Sequence, residues 1–110
     1  MNLFNLLDEN TIITDSEFGN KDDVINALVD TLSGKVPEEA LETVRTRVFE
    51  RESVMSTGVG KGLAIPHCKT KVVDDNFAAF VKLEKPLDFN SIDGEPVRII
   101  FLLVGPESKH

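Results

Sequence analysis

The segment Ser56–Cys68, STGVGKGLAIPHC, gathers the residues of this chain that are best suited to chemistry. Gly58, Gly60 and Gly62 recur at every second position, ahead of the apolar run Leu63-Ala64-Ile65 and then Pro66-His67. Glycine has no Cβ, so its backbone can approach another group closely. Pro66 ends the apolar run and pushes the residue before it toward extended geometry. His67 therefore falls where a short buried strand meets a loop, behind a glycine-rich approach. An imidazole there suits nucleophilic attack on phosphorus: it is largely neutral near pH 7 and keeps one bare nitrogen. Phosphoryl transfer asks for in-line positioning and for N–H or cationic groups around the oxygens. The Gly58–Gly62 backbone offers such donors, Arg51 offers a guanidinium fork that matches phosphate, and His110 offers a second imidazole. A lone loop histidine is more often a surface residue or a satisfied core residue, so the weight rests on the combination.

Other chemistries fit less well. Counting from Gly58 and Gly60, a dinucleotide fingerprint would need its third glycine at Leu63. A P-loop would need Ser or Thr after Lys61, where Gly62 stands. His67, Cys68 and His110 are the candidate metal ligands, but zinc sites favour a close pair separated by a few residues, and adjacent ligands are poorly placed for one ion. Cys68 as a nucleophile would need a depressed pKa and a paired base. A small, semi-buried side chain is the better reading for it. No metal and no cofactor is expected.

A chain of 110 residues makes a single domain over residues 1–110, long enough to bury a core. Twelve basic against nineteen acidic residues give a net charge of −7, which gains no counterion-release attraction to nucleic acid. An acidic surface suits a basic protein partner, or solubility alone. One cysteine cannot form an internal disulfide, and residues 1–10 lack the features of a signal peptide, so the cytoplasm is the expected compartment. The longest apolar run, Ile99–Val104, is of strand length and far short of a membrane span. No nucleic-acid partner and no membrane insertion are expected.

The elements that must position His67 can be read in order. Leu3–Leu7 suggests one helical turn, and Thr11–Ile13 a short strand. Asn20 caps a helix with Asp22 and Asp23 in its first turn and an apolar stripe of Val24, Ile25, Leu28, Val29 and Leu32, ending at Ser33-Gly34. Pro37 opens a second helix with the stripe Ala40, Leu41, Val44, Val48 and Phe49. Arg45 and Arg47 read as a solvated face, whereas Arg51 leads directly into the glycines. Lys69–Asn76 reads as a polar connection, Phe77–Leu83 as a strand, Pro86–Ser91 as a loop, Asp93-Gly94 as a turn and Val97–Val104 as a central strand. Two helices would leave one sheet face partly uncovered, so a C-terminal helix is expected to be missing from this chain.

The sequence resembles the enzyme IIA domains of the fructose/mannitol type, from the bacterial phosphoenolpyruvate-dependent sugar phosphotransferase system. Arg51-Glu52 followed by Ser56–His67 carries the likeness. It extends through Pro86-Leu87-Asp88-Phe89, Ile92-Asp93-Gly94-Glu95-Pro96-Val97, Ile99–Val104, Gly105-Pro106 and His110. Lys61 stands where the family commonly has Asn, and Cys68 where it has Gly or Ala. The resemblance implies an α/β fold, a mixed β-sheet sandwiched between helices. It implies that His67 accepts a phosphoryl group on Nε2 from HPr, the histidine-containing phosphocarrier protein, and passes it to a cysteine of an enzyme IIB domain. Arg51 and His110 fall on the family's active-site arginine and second histidine. Thr57, Gly58, Gly60 and Gly62 are the expected phosphate-binding positions. Two outputs stay open: sugar uptake, or a nitrogen-regulatory role in which the phosphorylation state of His67 selects regulatory protein targets.

Overall fold

Alternating burial and helical periodicity settle most of the architecture in the computed structural model, which describes residues 3–107. A 3-10 turn at Leu3–Leu6 precedes β1 (Ile12–Ser16), α1 (Lys21–Asp30) and α2 (Glu38–Val54). Then follow β2 (Gly58–Gly60), β3 (Leu63–Ala64), β4 (His67–Thr70), β5 (Phe77–Leu87) and β6 (Val97–Pro106). The strands form one mixed sheet in the order β1-β5-β6-β3-β2, with β4 also paired to β6. β5 and β6 run antiparallel at its centre. β3 and β4 lie end to end along the same edge of β6, both parallel to it, with Leu63 opposite Ile99 and His67 opposite Leu103. Pro66 lacks an amide to donate and interrupts them, while its carbonyl accepts from Leu103 N at 3.0 Å.

Both α-helices contribute to a single core. Val24, Ile25, Leu28 and Val29 of α1 and Leu41, Val44 and Val48 of α2 pack with Ala64, Cys68, Val81, Ile100, Leu102 and Val104. On β6 the burial alternates: Ile100, Leu102 and Val104 are buried, whereas Ile99, Phe101 and Leu103 are only half-buried. The helices thus cover one face. On the other face Phe80 and Phe101 stack at 4.9 Å, and Leu6 of the 3-10 turn borders a small cavity with Phe77 and Leu103.

Several boundaries differ from the sequence expectation. The Asn20 side chain does cap α1, accepting from Asp23 N at 2.8 Å. The helix stops at Asp30, however, because the Thr31 hydroxyl donates to Leu28 O at 2.7 Å and competes for a helical carbonyl. Leu32 and Val36 continue the buried stripe from turns. Pro37 precedes the first helical residue of α2. The polar-looking Lys69-Thr70 belongs to β4, where Cys68 and Thr70 are buried and Lys69 is not. β5 extends through Pro86 to Leu87, which pairs with Val97 after an irregularity in register.

Two charged residues hold the helices in place. Arg45 is not a solvated arginine: it donates to Asn26 Oδ1 at 2.7 Å and to Asp30 at 2.5 Å on α1, and to Glu42 at 3.1 Å on its own helix. Glu52 continues the spacing of Leu41, Val44 and Val48 and lies in the buried stripe of α2. Its carboxylate takes Lys21 Nζ at 2.9 Å, Thr57 N at 3.0 Å and Thr57 Oγ1 at 2.6 Å. Removing one partner of a buried ion pair leaves the other desolvated and unpaired. Glu52→Ala is expected to destabilise the domain by about 3 kcal/mol in urea unfolding. A loss within experimental error of zero would show that the pair holds nothing.

Candidate functional site

His67 opens β4, immediately after the proline break. Its Nδ1 lies 2.8 Å from Ile65 O. A carbonyl oxygen only accepts, so Nδ1 carries the proton and the neutral ring leaves its lone pair on Nε2. The strand thus fixes both the tautomer and the tilt of the imidazole with its own backbone. Beside the ring opens a cavity of about 390 Å³, lined by Arg47, Glu50, Arg51, Val54, His67, Cys68, Lys69 and Glu107. A smaller one of about 210 Å³, lined also by Phe77 and Leu103, lies next to it.

Arg51 occupies the last turn of α2, where the helix dipole favours a cation. Its Nη1 donates to Met55 O at 2.7 Å, which satisfies a carbonyl at the helix end and steadies the guanidinium at the cavity. Among the described residues, the carboxylates nearest Arg47, one turn earlier, are at long range, 3.7 Å for Glu50 and 3.8 Å for Glu107. His67 and Arg51, separated by sixteen positions in sequence, therefore meet across one open space. His110 lies outside the described residues.

The glycine segment, expected to bind phosphate, makes its described contacts within the chain. Among the described residues, none of Thr57, Gly58, Gly60 and Gly62 lines the cavity shared by His67 and Arg51. The amides of Thr57 and Gly58 are already taken, by Glu52 and by Ser56 Oγ at 3.0 Å. Instead the β2–β3 hairpin closes against residues 88–96. The Ser56 hydroxyl donates to Phe89 O, and Ile92 N to Gly58 O at 3.4 Å. Asp93 accepts from Lys61 N at 2.8 Å. Gly60 and Gly62 have φ of +105° and +82°, the left-handed region that side chains resist, and Lys61 between them is also left-handed at 58°. The close approach that the glycines announce is thus to another loop of the same chain.

Cys68 is the neighbour of His67 in sequence but not in orientation. His67 pairs with the half-buried Leu103 and Cys68 with the buried Val104, so the two side chains leave opposite faces of β4. That geometry prevents them from chelating one ion. Burial pushes the Cys68 thiol up to about 11, against a small lowering from Arg47. Burial thus disfavours the thiolate, the form in which cysteine is nucleophilic.

The fold agrees with the comparisons. A model of the family described as "Phosphoenolpyruvate-dependent sugar phosphotransferase system, EIIA 2" matches residues 5–110. The chain belongs to this family. Among its relatives, this EIIA domain is 34% identical over 90 residues to a nitrogen regulatory protein of Pseudomonas aeruginosa, covering 82% of this chain and 58% of that protein. It is also 34% identical over 109 residues to the fructose-specific EIIABC component of Bacillus subtilis, covering 97% of this chain and 17% of the relative. The EIIA domain therefore spans only part of the length of these proteins. The crystal structure of nitrogen regulatory protein IIA-Ntr from Neisseria meningitidis superposes with a TM-score of 0.85 at 33% identity, over 94% of this chain and 70% of that one. Among the described residues no helix is long and apolar enough to cross a membrane.

Glu52, Lys69 and Glu107 drew no attention as individual residues in the sequence. Only Glu52 left a signal, a carboxylate at the next position of an apolar helical stripe.

Two tests follow from the hairpin. A Cβ at position 58 would lie 2.2 Å from Ser91 Oγ, a buried hydroxyl that has no hydrogen-bond partner among the described residues. Gly58→Ala is expected to lower stability by about 2 kcal/mol in thermal or urea unfolding, and Ser91→Gly to recover part of that loss; no recovery would locate the clash in the backbone alone. The amides of Lys61 and Glu95 hold the Asp93 carboxyl below its ordinary 3.8. A lowered folded-state value stabilises above the unfolded pKa and is lost as pH falls through the folded one. Amide exchange at Lys61 is thus expected to accelerate as pH drops below 3.8 relative to neighbouring β6 amides, and Asp93→Ala to remove that pH dependence.

Proposed function

We propose that this EIIA domain is a phosphoryl carrier that accepts a phosphoryl group on Nε2 of His67 from phosphorylated HPr and passes it to a cysteine of an enzyme IIB domain. The hydrogen bond from His67 Nδ1 to Ile65 O carries the reading, because it leaves Nε2 as the nucleophile without any base to activate it. In the transfer the Nε2 lone pair forms a bond to phosphorus. The bond from phosphorus to the donor nitrogen breaks, and its electron pair returns to that nitrogen. Nδ1–H stays in place, so the phosphorylated ring carries a positive charge that the Ile65 carbonyl faces directly. A ring held in that form is a good leaving group, which suits a carrier that must give the group up again. Arg51 would face the phosphoryl oxygens across the cavity, stabilising charge that is spread over them in the transition state. His110 would complete the site as a second imidazole. In this reading no metal or other cofactor takes part, and the reaction runs in the cytoplasm.

The relatives favour a second output as well. The Pseudomonas and Neisseria proteins are nitrogen regulatory proteins, so the same phosphohistidine could set which regulatory targets the domain binds. A phosphoryl group adds close to two negative charges at the centre of such a surface.

With phosphoenolpyruvate, enzyme I and HPr, the wild-type chain is expected to gain an acid-labile phosphate, and His67→Ala to gain none. Arg51→Ala is expected to fold normally but to be phosphorylated about a hundredfold more slowly, as for loss of one transition-state charge contact. Label retained by His67→Ala would overturn the assignment. Onward transfer to a IIB domain separates transport from regulation.

A further inference from the structure

Lys69 follows His67 by two residues on β4, with Gly105 and Leu103 as their respective partners on β6. Residues two apart on a strand point to the same side, with Cα atoms roughly 6.6 Å apart. Both side chains line the cavity that Arg51 enters, and both line the smaller one beside it. Acids outnumber bases nineteen to twelve in this chain, yet only five of its eleven described Lys and Arg residues are paired with a carboxylate. Lys21, Lys35, Lys85, Arg45 and Arg47 each have a carboxylate within 4.0 Å. Among the described residues, Lys69 and Arg51 have none. The cations left without a carboxylate thus include the two that flank His67.

We propose that Lys69 is a second phosphoryl-binding cation, which draws the anionic group onto Nε2 of His67 and follows it during transfer. This rests on the phosphoryl-carrier reading of His67. The two cations divide the work by their chemistry. Arg51 is tethered to Met55 O and presents a fixed fork. Lys69 is exposed, and its ammonium is a compact charge on a flexible stem that can track a moving phosphoryl group. Its charge also offsets the like sign that an acidic domain presents to any anionic donor.

Phosphoramidate tests this without a protein partner: its P–N bond breaks as Nε2 attacks phosphorus, and the protonated nitrogen leaves as ammonia with the bonding pair. At low ionic strength Lys69→Gln is expected to be phosphorylated about fivefold more slowly than wild type, with the gap closing as salt rises. Lys69→Arg is expected to recover most of the rate, and both variants to melt as wild type does. A Lys69→Gln rate equal to wild type, or a loss that arginine does not restore, would overturn the role of Lys69 and leave His67 untouched. A wild-type chain that takes no phosphate, or a His67→Ala chain that takes as much, would overturn the carrier reading and this proposal together.

Discussion

An ammonium, an amide and a hydroxyl converge on the carboxylate of Glu52, buried near the end of α2. A buried charge is tolerated only when it is paired and hydrogen-bonded, and here the contacts come from two segments, the start of α1 and the start of the hairpin. Lys21 belongs to the first turn of α1 and also lies 5.3 Å from the centre of the Phe89 ring. Thr57 opens the glycine hairpin. The Phe89 carbonyl receives the Ser56 hydroxyl, which in turn accepts from Gly58 N. One ionised side chain thereby ties the helical layer, the hairpin and the 88–96 loop into a single rigid piece. The strand that carries His67 leaves from that hairpin.

The histidine is held differently. β3 and β4 would be one strand along β6 if Pro66 did not divide them. The division turns the Ile65 carbonyl away from the ladder and toward the imidazole that follows. A broken strand, normally a defect in a sheet, here sets the orientation of a side chain. β4 then resumes its pairing, so His67 and Lys69 fall on the side of Leu103 and Cys68 falls on the side of the helices. Two residues adjacent in sequence thus send their side chains to opposite faces of the strand, the thiol into the core.

Much of this was legible in the residues. The apolar stripes of α1 and α2, the Asn20 cap and the central strand β6 follow from spacing and from capping chemistry, which act locally. Arg51 is put with His67 by the match of a guanidinium to phosphate and again by the family likeness, and the two residues line one cavity. The glycines do not name their neighbour. They signal that something approaches closely, and only the tertiary fold reveals that it is Ser91 and Asp93. Arg45 and Glu52 were read past because charged residues on helices are usually solvated, and their burial depends on how α1 lies across α2. β4, where the sequence suggests a loop from His67 onward, is hard to read because its alternation spans only four residues, three of them polar.

The anchor of the imidazole is a main-chain oxygen, supplied by residue 65 whatever side chain that residue bears. Mutational drift at that position can alter packing but cannot delete the acceptor. Heritable loss of the anchor would require a change in chain path, for which Pro66 is the vulnerable point. The orientation of the ring is in this sense encoded by shape and not by identity, and it can survive wide divergence in the surrounding sequence.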